Sequence, residues 1–233
     1  MEKVNTRDNQ QPRLRTFLAG DTFKALLPLI GFVVIIVVLN IMTQGKILTP
    51  KKLRLLFSQI YYPTIVAVGV FFVMTLGSID FTEGSTLGVA SLVVSALSFY
   101  SIPLAILGGI LCGAAIGAIN GFFHVKFKLQ SFIVTICTMY LFRGVCAYFT
   151  TETAVPASAA IKAMDNNGLK IGITVAVLIV GWFLFRFTRI GNDVKAVGAG
   201  ETAARFSGVH TDRVKFLAFV CAGALTGLAA FVN

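Results

Sequence analysis

Seven apolar stretches alternate with short polar ones along the chain, at residues 25–43, 60–77, 85–99, 102–123, 131–150, 171–187 and 214–232. About 20 apolar residues, each rising 1.5 Å, carry a helix across a hydrocarbon core of about 30 Å. The stretch 85–99 is too short to span comfortably. Ahead of it lies Gly77-Ser78-Ile79-Asp80-Phe81-Thr82-Glu83-Gly84, which is polar and interrupted by glycine. The pattern therefore predicts an all-α fold: a polytopic transmembrane helical bundle with a broken helix near residues 77–84. Residues 1–23 read as a polar tail, and 24–233 as one membrane domain with a long connecting loop at 188–213. The first apolar run exceeds the 7–15 residues of a signal-peptide core and no small-residue cleavage site follows, so it reads as a retained helix.

Composition sharpens this picture. Of the 233 residues, 56% are hydrophobic and only 13% charged, against roughly 25% charged in soluble domains. No soluble fold of this size hides that much apolar surface. The net charge of +10 does not imply nucleic acid, because the basic residues flank apolar spans and act as topology signals. With the N-terminus in the cytoplasm, 13 of the 20 Lys and Arg fall inside. Lys46, Lys51, Lys52 and Arg54 fall outside, in a segment whose Leu53, Leu55, Leu56 and Phe57 suit the membrane interface. Cys112, Cys137, Cys146 and Cys221 sit in apolar stretches without metal-ligand spacing and read as small hydrophobes. No catalytic residue, metal site or cofactor is indicated.

Four features carry more than hydrophobicity. Gly109, Gly113, Gly117 and Gly121 repeat every four residues, the spacing of a tight helix–helix seam in lipid; Gly223 and Gly227 repeat it more weakly. Asp80 and Glu83 stand three apart before an apolar helix, as in a capping box with Asp in place of Ser or Thr. Asp80 then caps a half-helix starting near Phe81, or it lines a substrate path built at a helix break. Arg143 lies inside the span 131–150, where its long side chain either snorkels outward or pairs with Asp80 or Glu152. His124 and His210 are single loop histidines and receive no role.

The fourth feature is the loop 188–213. Between Gly200 and Gly208 lies a short helical run, with Glu201 at its positive end, Arg205 at i+4 for an ion pair, and Gly208 placed as a stop. Ala203 and Ala204 leave one side bare for a groove on another protein. No Gly-x4-Gly-Lys-[Ser/Thr] phosphate loop occurs, so energy for any transport comes from a partner or an ion gradient.

The segment AVGAGETAARFSGV, followed by KFLAFVCAGALTGLAAF, resembles the coupling loop and next helix of bacterial sugar permeases of the ribose type. These are the membrane subunits of ATP-binding-cassette importers. GSIDFTEGS, GAAIGAINGFF and LQSFIVTICTMYLFRGV resemble further stretches of that family, in order. The resemblance implies a non-enzymatic permease subunit in the bacterial inner membrane, working by alternating access. Its implied partners are cytoplasmic ATPase subunits, a second permease subunit, an extracytoplasmic sugar-binding protein and membrane lipid. It implies a coupling role for Gly198, Glu201, Ala203, Ala204, Arg205 and Gly208, and a signature role for Asp80 and Ser85.

Three departures accompany it. Phe81-Thr82-Glu83 stands where Leu-Ser-Val is usual, adding a carboxylate near the pathway. Ala199-Gly200 replaces Gly-Asn and loosens the coupling turn. The chain ends at Phe231-Val232-Asn233, where the family continues, which suggests a fragment. An ion-coupled secondary transporter using Asp80 and Glu83, and a truncated chain without transport, are the alternatives at this stage.

Overall fold

A computed structural model of the chain describes residues 21–46, 49–151, 156–159, 161 and 166–233. Ten helices and no strand occur among the described residues. Five helical stretches are long and apolar enough to cross a membrane: 50–75, Ile102–Lys126, Ser131–Thr151, Asn167–Phe187 and Thr211–Val232. The protein is an all-α, multi-pass membrane bundle.

The chain divides into two compact units, Met1–Leu56 and Phe57–Asn233. In the first lies α1 (Asp21–Met42), with Pro28 inside it and apolar residues all round. Leu29, Phe32, Ile35 and Ile41 are all exposed, as suits a helix whose solvent is lipid. The helix α2 (Pro50–Ser58) opens on a proline and buries no residue. It covers most of the segment expected at the interface.

The second unit is built around its last helix. Its elements are α3 (Tyr61–Thr75), α4 (Glu83–Leu97), α5 (Ile102–Lys126), α6 (Ser131–Thr151), α7 (Asn167–Phe187), α8 (Arg189–Ala199), α9 (Glu201–Phe206) and α10 (Thr211–Val232). Helix α4, at 15 residues, falls short of a full crossing; α3, also 15 residues, reaches crossing length only together with the helical residues before it, as the stretch 50–75. Helix α4 matches the short stretch 85–99 of the hydropathy pattern.

Helix α10 packs on α5, α3 and α4, and its contact with α5 is the most extensive in the molecule. Lipid tails are as apolar as leucine, so helices in a bilayer are held by close van der Waals contact and interhelical hydrogen bonds instead of hydrophobic burial. The α5 and α10 backbones meet directly. A Cβ on Gly113 would overlap the Gly223 carbonyl, one on Gly117 would overlap the Phe219 carbonyl, and one on Gly227 would overlap the Gly109 carbonyl. Gly121 faces Phe216, with a would-be Cβ contact of 3.1 Å. Such an approach brings Cα–H groups onto facing carbonyls along the seam, each a weak favourable contact. Ala222 extends the same rule to α3, where a Cβ on Gly69 would lie 2.8 Å from its Cα.

At one end of the bundle a second core forms. Phe72, Val73 and Leu76 of the α3 end pack with Val194 and Val197 of α8, Ala204 of α9, and Ala218, Phe219 and Ala222 of α10. The amphipathic α8 thus lies on the bundle.

Replacing Gly113 by valine forces the seam apart, an overpacking expected to cost about 1–3 kcal/mol or more. Gly31 of α1 has nothing within 4 Å of its would-be Cβ. In thermal denaturation of the detergent-solubilised chain, Gly113→Val should lower the midpoint sharply and Gly31→Val should leave it nearly unchanged.

Candidate functional site

The break between α3 and α4 spans residues 76–82. Leu76 and Gly77 close a turn in which Gly77 takes φ +74, a conformation open to glycine at no steric cost. Beyond it the chain runs without regular structure from Ser78 to Thr82. Every backbone group freed within a membrane needs a partner in the protein. Helix α6 supplies two: the Ile79 N–H donates to Ser131 Oγ (3.1 Å), and the Thr135 hydroxyl lies 3.4 Å from the Ile79 carbonyl.

Asp80 does not cap α4 as expected. The helix begins at Glu83 with Thr82 as N-cap, two residues past the aspartate. The Asp80 carboxylate instead accepts from the Thr82 N–H (2.8 Å) and the Thr82 hydroxyl (2.6 Å), an Asx-type turn within the break. From Thr82 the chain of bonds continues inward. Asn120 of α5 donates from Nδ2 to Thr82 Oγ1 (2.9 Å), and Thr138 of α6 donates its hydroxyl to Asn120 Oδ1 (2.7 Å). Asn120, Thr82 and Thr135 are fully or almost fully buried. This network ties the break to two neighbouring helices.

Glu83 also departs from the capping-box expectation. Its side chain does not turn back on the break; Oε2 accepts from the Thr226 hydroxyl of α10. The other oxygen, Oε1, is buried without a partner. As first residue of α4, the carboxylate lies at the favourable end of the helix dipole. Ser85 is buried and donates its hydroxyl to the Thr82 carbonyl (2.8 Å), so its one proton is already engaged. Arg143 is exposed and makes no ion pair with any described residue, so of the alternatives the pair with Asp80 is not formed. Glu152 lies outside the described residues.

The second half of the site is the turn α8–Gly200–α9. Gly198 sits where a Cβ would overlap the Thr75 carbonyl, so α8 abuts the last residue of α3, directly before the break. Lys195 anchors α8 to the end of α7, donating to the Phe185 carbonyl (2.8 Å) with its ammonium 4.3 Å from the centre of the Phe185 ring. Helix α9 closes with a Schellman motif. The Val209 N–H donates to the Ala204 carbonyl and the Gly208 N–H to the Arg205 carbonyl, with Gly208 at φ +85.

Glu201 lies near Arg205, at 3.9 Å, but its tighter partner is Lys215 of α10, at 2.6 Å. The hydrogen-bonded Lys215 ammonium holds the Glu201 carboxyl below its usual range; partial burial opposes this, and the charges of Lys215 and Arg205 add to the lowering. With the folded value depressed, this attachment is fully present above the ordinary value of 4.5 and is lost only as pH falls through the folded value. Arg205 turns toward Asp212 (3.5 Å) and the Thr211 hydroxyl (3.3 Å).

The bare side expected from Ala203 and Ala204 is also revised. Ala204 is buried in the core formed with α3, α8 and α10, because the Schellman turn folds Val209 onto it. The outward face of α9 is Thr202, Ala203 and Phe206 instead, and Phe206 is 89% exposed. Asn120, Thr138, Thr226 and Lys215 were not singled out in the sequence. An amide inside a glycine-rich apolar helix was the one available signal, since such a group is costly in lipid without a partner.

The family model described as branched-chain amino acid transport system / permease component matches residues 53–233. The ribose import permease protein of Haemophilus influenzae is 28% identical over 215 residues, 87% of this chain and 66% of that protein. The L-arabinose ABC transporter permease protein of Azospirillum brasilense is 32% identical over 206 residues, 85% and 60% respectively. The ribose import permease protein of Bacillus subtilis is 29% identical over 239 residues, 98% and 74%. The chain spans about two thirds of the length of these relatives. No solved structure matches it significantly.

Removing the Thr226 hydroxyl leaves the Glu83 carboxylate buried with neither oxygen bonded, a cost of about 1–3 kcal/mol. Thr226→Val should therefore lower the thermal midpoint. The pair Glu83→Val with Thr226→Val, which removes both polar groups, should recover most of the loss. A neutral Thr226→Val would show that the carboxylate is not held there. The matched segment takes in the broken helix, the glycine seam and the α8–α9 turn, and the chain belongs to the branched-chain amino acid transport system permease family.

Proposed function

We propose that this chain is the membrane subunit of an ATP-driven importer for a simple sugar. The observation that carries the reading is the α8–α9 turn: a short helix with a nearly fully exposed aromatic, Phe206, set on a base that packs against the end of the broken helix. The names of the relatives, permeases for ribose and L-arabinose, support a sugar as the solute. The chain carries no phosphate loop, so ATP hydrolysis falls to cytoplasmic ATPase subunits that receive α9. A second permease subunit completes the pathway, and an extracytoplasmic binding protein delivers the sugar. The subunit sits in the inner membrane with its N-terminus and the α8–α9 turn in the cytoplasm, as the distribution of Lys and Arg favours.

Mechanically, ATP-driven closure of the partner pushes on α9. Helix α8 passes the displacement to Thr75 through Gly198, and from there to the break at 76–82. Alternating access is then a rocking of α3 and α4 about a point where the backbone is already free of helical bonds.

The test is uptake and sugar-stimulated ATP hydrolysis in vesicles holding the chain, its ATPase and its binding protein. Phe206→Ala and Glu201→Arg should each reduce both readouts at least tenfold while membrane insertion is unchanged. Uptake that survives ATP depletion and collapses with an ionophore would overturn the proposal.

A further inference from the structure

The structure assigns a binding site for one anionic phospholipid to the groove between α3, α7 and α10. This groove has a volume of about 870 Å³ and borders the α8–α9 turn at Val194, Gly208 and Val209. Its walls are apolar: Val68 of α3, Val180 and Leu184 of α7, and Leu217, Cys221 and Leu225 of α10. Along α10 it runs from Arg213 to Leu225, which at 1.5 Å per residue is about 18 Å. That is close to half of a hydrocarbon core of about 30 Å, the depth of a single leaflet. An acyl chain of one leaflet fits the length and the chemistry.

The end of the groove beside the first turns of α8 and α10 has the opposite character. Arg189, at the start of α8, and Arg213, in the first turn of α10, both line it and both are exposed. Neither guanidinium pairs with a described carboxylate. His210 stands with them, and Asp193 is the one acid on the rim. Basic pockets between membrane helices recognise anionic headgroups, and arginine forks match phosphate oxygens in two-point contacts. Arg205 and Lys215, by contrast, are engaged with acids of the α9–α10 turn. Arg189 and Arg213, which line the groove, have no such partner among the described residues. A phosphate there also bridges α8 to α10, the two elements on which the α9 turn rests.

Native mass spectrometry of the full chain in detergent, with phosphatidylglycerol and phosphatidylcholine of identical acyl chains, tests this. Phosphatidylglycerol should be retained as a single, tighter adduct. Arg189→Gln with Arg213→Gln should weaken it about thirtyfold, two surface charges at the usual strength, and leave phosphatidylcholine unaffected. Lys126→Gln with Lys128→Gln, a basic pair that does not line the groove, should change it less than twofold. Cys221→Trp, which fills the groove, should reduce retention of both lipids in a chain of unchanged helical content. Equal retention of the two lipids by the native chain would overturn the assignment. So would equal losses from the two charge-removing pairs, or a chain whose groove holds a protein segment and takes up no lipid.

Discussion

Everything in the second unit hangs on the direct contact of two backbones, α5 and α10. In a bilayer no hydrophobic pressure drives helices together, so affinity between them rises with how closely their main chains approach. Glycine on both sides, Gly113 and Gly117 against Gly223 and the Phe219 carbonyl, makes that approach possible. Once α10 is fixed, it presents Thr226 to Glu83 and offers Ala218, Phe219 and Ala222 to the core under α8 and α9. The helix seam therefore positions both halves of the site without taking part in either.

The broken helix shows the same economy of polar groups. Opening α3–α4 frees backbone groups that lipid cannot satisfy, and the protein answers with hydroxyls and one amide from α5 and α6. The resulting relay, Asp80 to Thr82 to Asn120 to Thr138, fixes the break in one geometry while leaving it without a helical ladder. A segment of this kind deforms more readily than a continuous helix when its ends are pushed. One end, Thr75, is the residue on which Gly198 rests.

Part of this was legible in the residues. The shortness of α4, the break before it and the four-residue glycine spacing follow from periodicity and lipid thickness, which act locally along the chain. The stop at Gly208 follows from one positive φ. What escaped were contacts between helices far apart in sequence. Asp80 and Glu83 carry the spacing of a capping box, but Asp80 binds within its own turn and Glu83 accepts from Thr226 of α10. Glu201 has Arg205 at the ideal helical offset, yet Lys215 takes it, since α9 is laid against α10 by the burial of Ala204. Local spacing ranks partners along one helix and is silent on partners that tertiary packing brings nearer.

In the proposed mechanism the α8–α9 turn and the membrane break move as one unit, joined where Gly198 meets the Thr75 carbonyl. The most direct measurement is the ratio of sugar imported to ATP hydrolysed by a reconstituted transporter carrying Gly198→Val, in a chain that keeps native helical content and ATPase binding. In this variant ATP hydrolysis should continue while import falls to background, because the displaced α8 no longer bears on the end of α3. An unchanged ratio would contradict it.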